Sequence, residues 1–524
     1  MSADTAHGTG AATVRTNAGW WYLDRHLEQD TADRLCLIDG EEELTYRQVH
    51  DRVCRTARVL AEGGIAPGDR VVTVLDDGTD AVAVVLAAIR LGAVPVPVSP
   101  MLTADEKLFV VADSGARGFV AEEVGAAQAA DLADRFPGMA VWSRTPGAPG
   151  IRSLTEEVRA AAPRYEVAPR AAADPAVVQY TSGSTGRPKG VVHLHGGLLA
   201  FPQGLGGRLG LTREDRLLST AKLSFGYGFG NSLLLPFSVG ASVVLFGGRS
   251  EPFAVAGLLS RTRPTVLFAV PTLYAAMLAL PNAPERLDFS SVRLAVSAGE
   301  HLGASLSRRL SGEFGLRMVN GLGATECLHI FMATEPGVSP PGTTGTPVPG
   351  FEAQLVDDEG RVLGVGDTGQ LRVRGASTGD HYWGRPGLSG ETFRDGWVYT
   401  GDTMTLDAER GWLYLGRNDA ILNVAGMKIV PNEIEDAIHA VPGVELCTVI
   451  GVPDEDDVTR IVAHVVPAGG AGDELRGQVL ASLRRTLPPY KQPRTVRLVD
   501  RIPTTSTGKT ARFLSREREM ESRR

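Results

Sequence analysis

The chain has 524 residues, a formal net charge of −8, 43% apolar and 22% charged residues. That composition supports several packed units of ~150 residues each and excludes wholesale disorder, a collagen-like repeat or a small disulfide scaffold. The acidic balance removes any global attraction to nucleic acid or to an anionic membrane.

Residues 1–15 are small and polar and read as a loose tail without a secretory signal. Cys36, Cys54, Cys327 and Cys447 have no CxxC or metal-type spacing, which predicts reduced thiols and a cytoplasmic protein. The most apolar stretch, 81–98, is broken by Arg90, Pro95 and Pro97, so it reads as a buried helix feeding a strand, not a membrane span. Up to residue 350, strand-like runs at 71–75, 94–98, 177–180, 242–246, 265–270 and 293–297 alternate with helical patterns such as 80–91 and 253–262. This alternation predicts layered α/β structure with largely parallel sheets. His193 and His195, two apart on a strand-like run, are too few to hold zinc. After Gly350, short strands at 351–356, 369–374 and 397–400 with Asp/Gly turns predict a small β-rich unit. The segment 415–419 is polar and reads as a turn, with a domain boundary near it. Beyond it, helix 431–439, strands 445–452 and 461–466, helix 473–487 and strand 494–498 make a separate α+β unit. The Arg- and Glu-rich tail from Arg512 reads as a solvated helix end.

The run Tyr180-Thr181-Ser182-Gly183-Ser184-Thr185-Gly186-Arg187-Pro188-Lys189-Gly190 carries the strongest chemistry. Its glycines let successive N–H groups point inward, and its hydroxyls and Lys189 add donors, as a loop wrapped around an oligophosphate requires. Lysine is scarce here: six of 53 basic residues, so Lys189 and Lys509 stand out where Arg is the default. The spacing is not that of a P-loop NTPase, because Gly183 and Gly186 are three apart and Lys189 follows Pro188.

With Ser297-Ala298-Gly299-Glu300, Asn320-Gly321-Leu322-Gly323-Ala324-Thr325-Glu326, Tyr399-Thr400-Gly401-Asp402, Gly416-Arg417-Asn418-Asp419 and Pro503-Thr504-Thr505-Ser506-Thr507-Gly508-Lys509 following in order, the chain from about Trp20 resembles the adenylate-forming superfamily. That resemblance implies an α/β fold: a large N-terminal AMP-binding domain, 1–418, of layered α/β subdomains plus a small β-rich subdomain, and a mobile small α+β C-terminal domain, 419–524. It also implies a two-step reaction in which a carboxylate attacks the α-phosphate of ATP and a thiol then displaces AMP. By the same resemblance, Lys509, Thr325 and Glu326 are catalytic, with Glu326 the Mg²⁺ ligand. ATP is bound by Thr181, Ser182, Gly183, Ser184, Thr185, Gly186, Lys189, Gly299, Glu300, Asn320, Gly321, Leu322, Thr325, Asp402 and Arg417. Asp402 takes the ribose hydroxyls and Asp419 is the hinge. Ala425, Gly426 and Met427 line the coenzyme A tunnel, where Gly426 leaves room for the thiol. Three departures stand out: Asn320 where an aromatic residue is frequent, Ala420 after Asp419, and Asn423 where Lys is frequent.

The runs 221–231 and 325–331 resemble benzoate-CoA ligases in particular, which implies an aryl pocket of Gly226, Tyr227, Ala298, Gly299, Leu322, Gly323, His329 and Ile330, with Lys509 at the carboxylate. Gly226 stands where that subfamily often has Ala, which predicts a slightly roomier pocket. The expectation is therefore an ATP-dependent aryl acid:CoA ligase acting on benzoate and small ring-substituted benzoates, a monomer or homodimer with small-molecule substrates. A stand-alone aryl-adenylation enzyme loading a carrier protein, a hydroxy- or aminobenzoate-CoA ligase, and a nucleotide-binding homologue without turnover are the alternatives.

Overall fold

The computed structural model describes residues 13–145, 147–181, 187–418, 422–424, 427–454, 459–468, 472, 474–504 and 510–522, without the side chains of Asn423, Met427 and Lys428. Two largely parallel sheets form the body of the chain. The larger has nine strands in the order Thr346–Pro347, Ile330–Ala333, Met318–Gly323, Leu294–Ala298, Val266–Ala269, Arg216–Ser219, Ser242–Leu245, Leu35–Asp39 and Glu42–Thr45. Its inner pairings are parallel and its outer ones antiparallel. The second sheet runs Val94–Pro97, Arg70–Val74, Gly118–Ala121, Ala140–Ser143 and Arg152–Ser153, parallel throughout. Inner strands such as Val266–Ala269 are apolar at every position because helices cover both faces. Pro95 and Pro97 are tolerated because their strand lies at the end of the sheet's hydrogen-bonded order.

The helix Thr79–Leu91 is buried almost all round, and Gly92, at φ +81°, ends it in the left-handed conformation. It packs on Tyr46–Glu62, a 17-residue amphipathic helix opened by a capping box between Thr45 and Gln48, which the sequence reading passed over. Among the described residues, no helix is long and apolar enough to cross a membrane.

His381–Tyr382, Lys189–Leu194 and Pro175–Thr181 form a three-stranded antiparallel sheet; in sequence, residues 182–186 stand between the last two strands. The β-rich unit pairs Phe351–Val356, Thr368–Gly375, Trp397–Asp407, Phe393–Arg394 and Gly411–Arg417. Here the turn expected over 415–419 is corrected in part: Asn418 is in a turn and Asp419 lies outside the described residues. Residues 415–417 continue a strand, because Trp412 and Tyr414 pack inward and Arg417 pairs across to Asp402. The last unit has its own core, including Ile434, Val449, Val465, Val479 and Val496, on the sheet Val444–Pro453, Thr459–Pro467 and Thr495–Leu498. The helix end expected from residue 512 is present and largely exposed, and one face of it packs. The helix Arg512–Glu521 buries Ser515 and Glu519, with Glu519 held by Arg497 and His464 and Arg512 paired to Glu435.

Candidate active site

Three groups of expected residues converge where the Thr325–Cys327 turn leaves the nine-stranded sheet. Among the residues expected to hold the phosphates, Thr181 lies opposite Lys189 on paired antiparallel strands; Ser182, Gly183, Ser184, Thr185 and Gly186 lie outside the described residues. The Lys189 ammonium stands 4.8 Å from the centre of the Tyr382 ring, and the Tyr382 hydroxyl donates to Glu326 Oε1 at 2.5 Å. Burial, followed by the neighbouring Glu326 charge, holds the Tyr382 phenol well above its usual range, so it stays a donor to the carboxylate. The Glu326 carbonyl accepts from Gly379 N–H at 2.8 Å, which ties the turn to the His381–Tyr382 strand. Glu326 is thus oriented from outside its own turn, with one carboxylate oxygen engaged by the phenol.

Among the residues expected to hold the nucleoside, Asp402 is 4% exposed and lies opposite Arg417. Arg417 Nη1 is 3.6 Å from Asp402 Oδ1 and donates to the Thr400 carbonyl at 2.7 Å; the Tyr414 hydroxyl reaches Asp402 Oδ1 at 3.5 Å. Burial raises the Asp402 carboxyl above its ordinary range, and Arg417 works against that rise. Asn320 sits beside Ser297 and Gly321 beside Ala298 on adjacent parallel strands. The Asn320 amide donates to the Thr343 carbonyl at 2.8 Å, so here the side chain locks neighbouring backbone. Gly299 takes φ +88°, a turn that an L-residue enters at a cost. Glu300 accepts from the Thr272 hydroxyl and N–H and, at 3.1 Å, from the Thr510 N–H of the C-terminal segment. His301 Nε2, 3.2 Å from Asp436 Oδ2, makes a second contact between the same two parts of the chain.

The third group forms a wall. Tyr227 is the second residue of the short helix Gly226–Phe229, with its hydroxyl on the Val296 carbonyl at 3.2 Å and its ring edge-on to Phe268. His329 is 3% exposed; its ring centre is 5.4 Å from Tyr227 and 5.3 Å from Phe201. His329 Nε2 lies 3.0 Å from both Tyr227 O and Asn231 Oδ1, so Nε2 carries the proton and Nδ1 is left as an acceptor. Burial lowers the ring's pKa from 6.5 to about 4, which keeps it neutral. Small residues admit it: a Cβ on Gly230 would lie 2.3 Å from the ring, and one on Gly323 2.6 Å from His329 O. Leu328, just before it, takes φ +68° and ψ −42°, a strained turn held by the packing around it. Ala298 and Ile330 are buried, and Leu322 packs partly buried beside Ala324 and Cys327.

The extra space expected at Gly226 is not found. A Cβ there would meet Leu328 O at 2.9 Å and Gln179 Oε1 at 3.1 Å, so these groups fill the place of the missing methyl. Lys509, Asp419, Ala425 and Gly426 lie outside the described residues; Val424 pairs with Met427 across the strands that flank Ala425 and Gly426. Tyr382, Thr272, Phe201 and Gln179 escaped the sequence reading, because each meets the site from a distant segment without a motif of its own. Asn231 ends the run 221–231, and the need of a buried histidine for a nearby acceptor is the signal that could have found it.

Comparison with known proteins points to one family. The model of the AMP-binding enzyme family matches residues 23–383, and that of the AMP-binding enzyme C-terminal domain matches 433–509. The chain is 36% identical to the benzoate–CoA ligase of Thauera aromatica over 505 residues, 95% of each protein. It is 35% identical to the 4-hydroxybenzoate–CoA/benzoate–CoA ligase of Rhodopseudomonas palustris, covering 96% of this chain and 94% of that one. The crystal structure of the anthranilate CoA ligase AuaEII in complex with anthranoyl-AMP superposes with a TM-score of 0.89 at 31% identity, over 96% of this chain and 97% of that one.

Proposed function

The chain belongs to the AMP-binding enzymes, and we propose from that premise that it is an ATP-dependent aryl acid:CoA ligase acting on benzoate and small ring-substituted benzoates. The acid's carboxylate oxygen attacks the α-phosphorus of ATP and pyrophosphate leaves. The thiol of coenzyme A then attacks the acyl carbon and AMP leaves. The observation that carries the aryl reading is the wall of Tyr227 and neutral His329, with Phe201 and Phe268 behind it. A flat acid buries its ring against such a surface and gains roughly 25 cal/mol per Å² of apolar area.

The proposed roles follow the local chemistry. Asp402 accepts the ribose hydroxyls: its buried carboxylate is an under-solvated acceptor that gains from two donors. Lys189 and the loop 182–186 hold the phosphates, and Thr325 adds a hydroxyl. Lys509 bridges the acid and the α-phosphate, where a pre-aimed cation favours the charge that develops. The contact of its neighbour Thr510 with Glu300 supports a C-terminal unit docked for the first half-reaction. Gly426 with Ala425 and Met427 would line the thiol's path, with Asp419 the pivot between the two steps and the boundary between 1–418 and 419–524.

Mg²⁺ fits this site as the partner of ATP. It takes oxygen ligands and keeps few protein ones, and Glu326 offers one carboxylate whose Oε1 is already fixed by Tyr382. When bound with the phosphates it neutralises their charge.

The test is AMP formation across acetate, benzoate, its hydroxy, amino and fluoro derivatives and decanoate, with free coenzyme A or a pantetheine-bearing carrier protein as acceptor. An aryl acid with free coenzyme A should give the highest kcat/KM. Decanoate ahead of every benzoate would overturn the aryl reading, and transfer to the carrier alone would overturn the coenzyme A assignment.

A further inference from the structure

Gln179 lies on the strand Pro175–Thr181, opposite Val191, and is 1% exposed. Among the described residues its Oε1 and Nε2 both lack a hydrogen-bond partner. A buried amide left in this state is uncommon, since buried polar groups are paired in the great majority of cases. Its position is specific. Gln179 Oε1 is 3.1 Å from where a Gly226 Cβ would stand, and Leu328 O is 2.9 Å from that same point. The amide is therefore packed between the residues that lead into Tyr227 and into His329. His329 Nδ1, the acceptor nitrogen of a neutral ring, is likewise buried without a partner among the described residues.

We propose that Gln179 is a specificity residue that hydrogen-bonds a polar substituent on the aromatic ring, so that the enzyme takes a hydroxy- or aminobenzoate in preference to an apolar isostere. The inference rests on the aryl-acid reading of this pocket. The chemistry of the unpaired atoms selects the ligand. A carboxylate offers only acceptors: it would satisfy Nε2 but repel Oε1 and His329 Nδ1. A hydroxyl donates one proton and accepts another, and an amino group donates two, so either can answer a buried carbonyl-type oxygen or an imidazole nitrogen. A methyl or hydrogen at the same place would leave these groups unpaired in a water-poor wall. Sites built to bond a substrate hydroxyl discriminate far more strongly than sites that only measure size. The hydrogen at Gly226 fits this role, because a Cβ there would press on Gln179 Oε1 at 3.1 Å.

The experiment measures kcat/KM for coenzyme A-dependent AMP formation with benzoate and with the ortho, meta and para hydroxy, amino and methyl acids, for wild type and Gln179→Leu. At one ring position or more, the wild type should favour the hydroxy or amino acid over the methyl acid by at least about 10-fold. In Gln179→Leu, a near-isosteric apolar replacement, that ratio should fall to about threefold or less. Thermal unfolding of the variant should not be lowered, since an unpaired buried amide is being removed. A wild-type ratio near one at all three positions, a ratio unchanged in the variant, an equal loss for every acid, or a clear drop in unfolding temperature each overturns the proposal while leaving the aryl-acid reading intact. AMP formation with none of the aryl acids overturns both.

Discussion

Replacing Gly230 by alanine tests the packing that holds the wall. The new Cβ would lie 2.3 Å from His329 Cδ2 and 2.7 Å from Nε2. Carbon contacts settle near ~3.5–4.0 Å, so the ring must retreat by roughly 1 Å. That movement breaks the Nε2 bonds to Tyr227 O and Asn231 Oδ1, both 3.0 Å in the native protein. Overpacking costs about 1–3 kcal/mol, and the orphaned acceptors add about 1–3 kcal/mol. A loss of roughly 2–6 kcal/mol in folding free energy is therefore expected, together with about a 100-fold fall in kcat/KM for benzoate, because a misplacement of this size is costly to a reacting geometry. The assay is benzoate-dependent pyrophosphate release at saturating ATP, with urea unfolding of the same protein beside it. A variant that keeps its urea midpoint and benzoate kcat/KM within twofold of wild type would refute the reasoning.

Asp402→Asn should make the protein more resistant to thermal unfolding at pH 7 while weakening ATP use by one to two orders of magnitude. The folded-state pKa is raised, so the ionised carboxylate disfavours folding once the pH exceeds its ordinary range, and the amide removes that burden; a destabilised variant with normal ATP kinetics would contradict this. For His329 the sign is opposite. Its pKa is lowered to about 4 in the folded chain, so the unfolded chain binds more protons below pH 6.5, and stability contributed by the neutral ring is lost as pH falls from 6.5 toward 4. The size is roughly 3 kcal/mol, and a urea midpoint whose pH dependence is the same in His329→Gln would count against it. Lys509→Ala should cost about 10²–10³ in adenylation and spare coenzyme A transfer from supplied benzoyl-adenylate, with Gly426→Leu doing the reverse; equal losses in both steps would remove the division of labour.

What could be read in the chain was local. The parallel strands announced themselves as short apolar runs, and the structure places strands at Arg70–Val74, Ser242–Leu245 and Leu294–Ala298 where the runs lie. The helix Pro431–His439 has the bounds that its apolar spacing and leading proline suggested. The strand Gly411–Arg417 was hidden because its polar end pairs with a segment defined only by tertiary structure, through Asp402. In the site, motif residues such as Glu326 and Asp402 were visible, whereas Tyr382, which orients Glu326, is 56 residues away in sequence and carries no pattern. Gly226 shows the other limit. Its missing methyl was legible, but what fills the space depends on Gln179 and on an unusual backbone angle at Leu328.

The central claim is that the acid's own oxygen bonds to the α-phosphorus and that coenzyme A then releases AMP. Benzoate labelled with ¹⁸O in both carboxylate oxygens, turned over with ATP and coenzyme A and analysed by mass spectrometry, tests it directly. One ¹⁸O should appear in AMP for each benzoyl-CoA formed, and the other should remain in the thioester carbonyl. Unlabelled AMP, or ADP in place of AMP, would contradict the account.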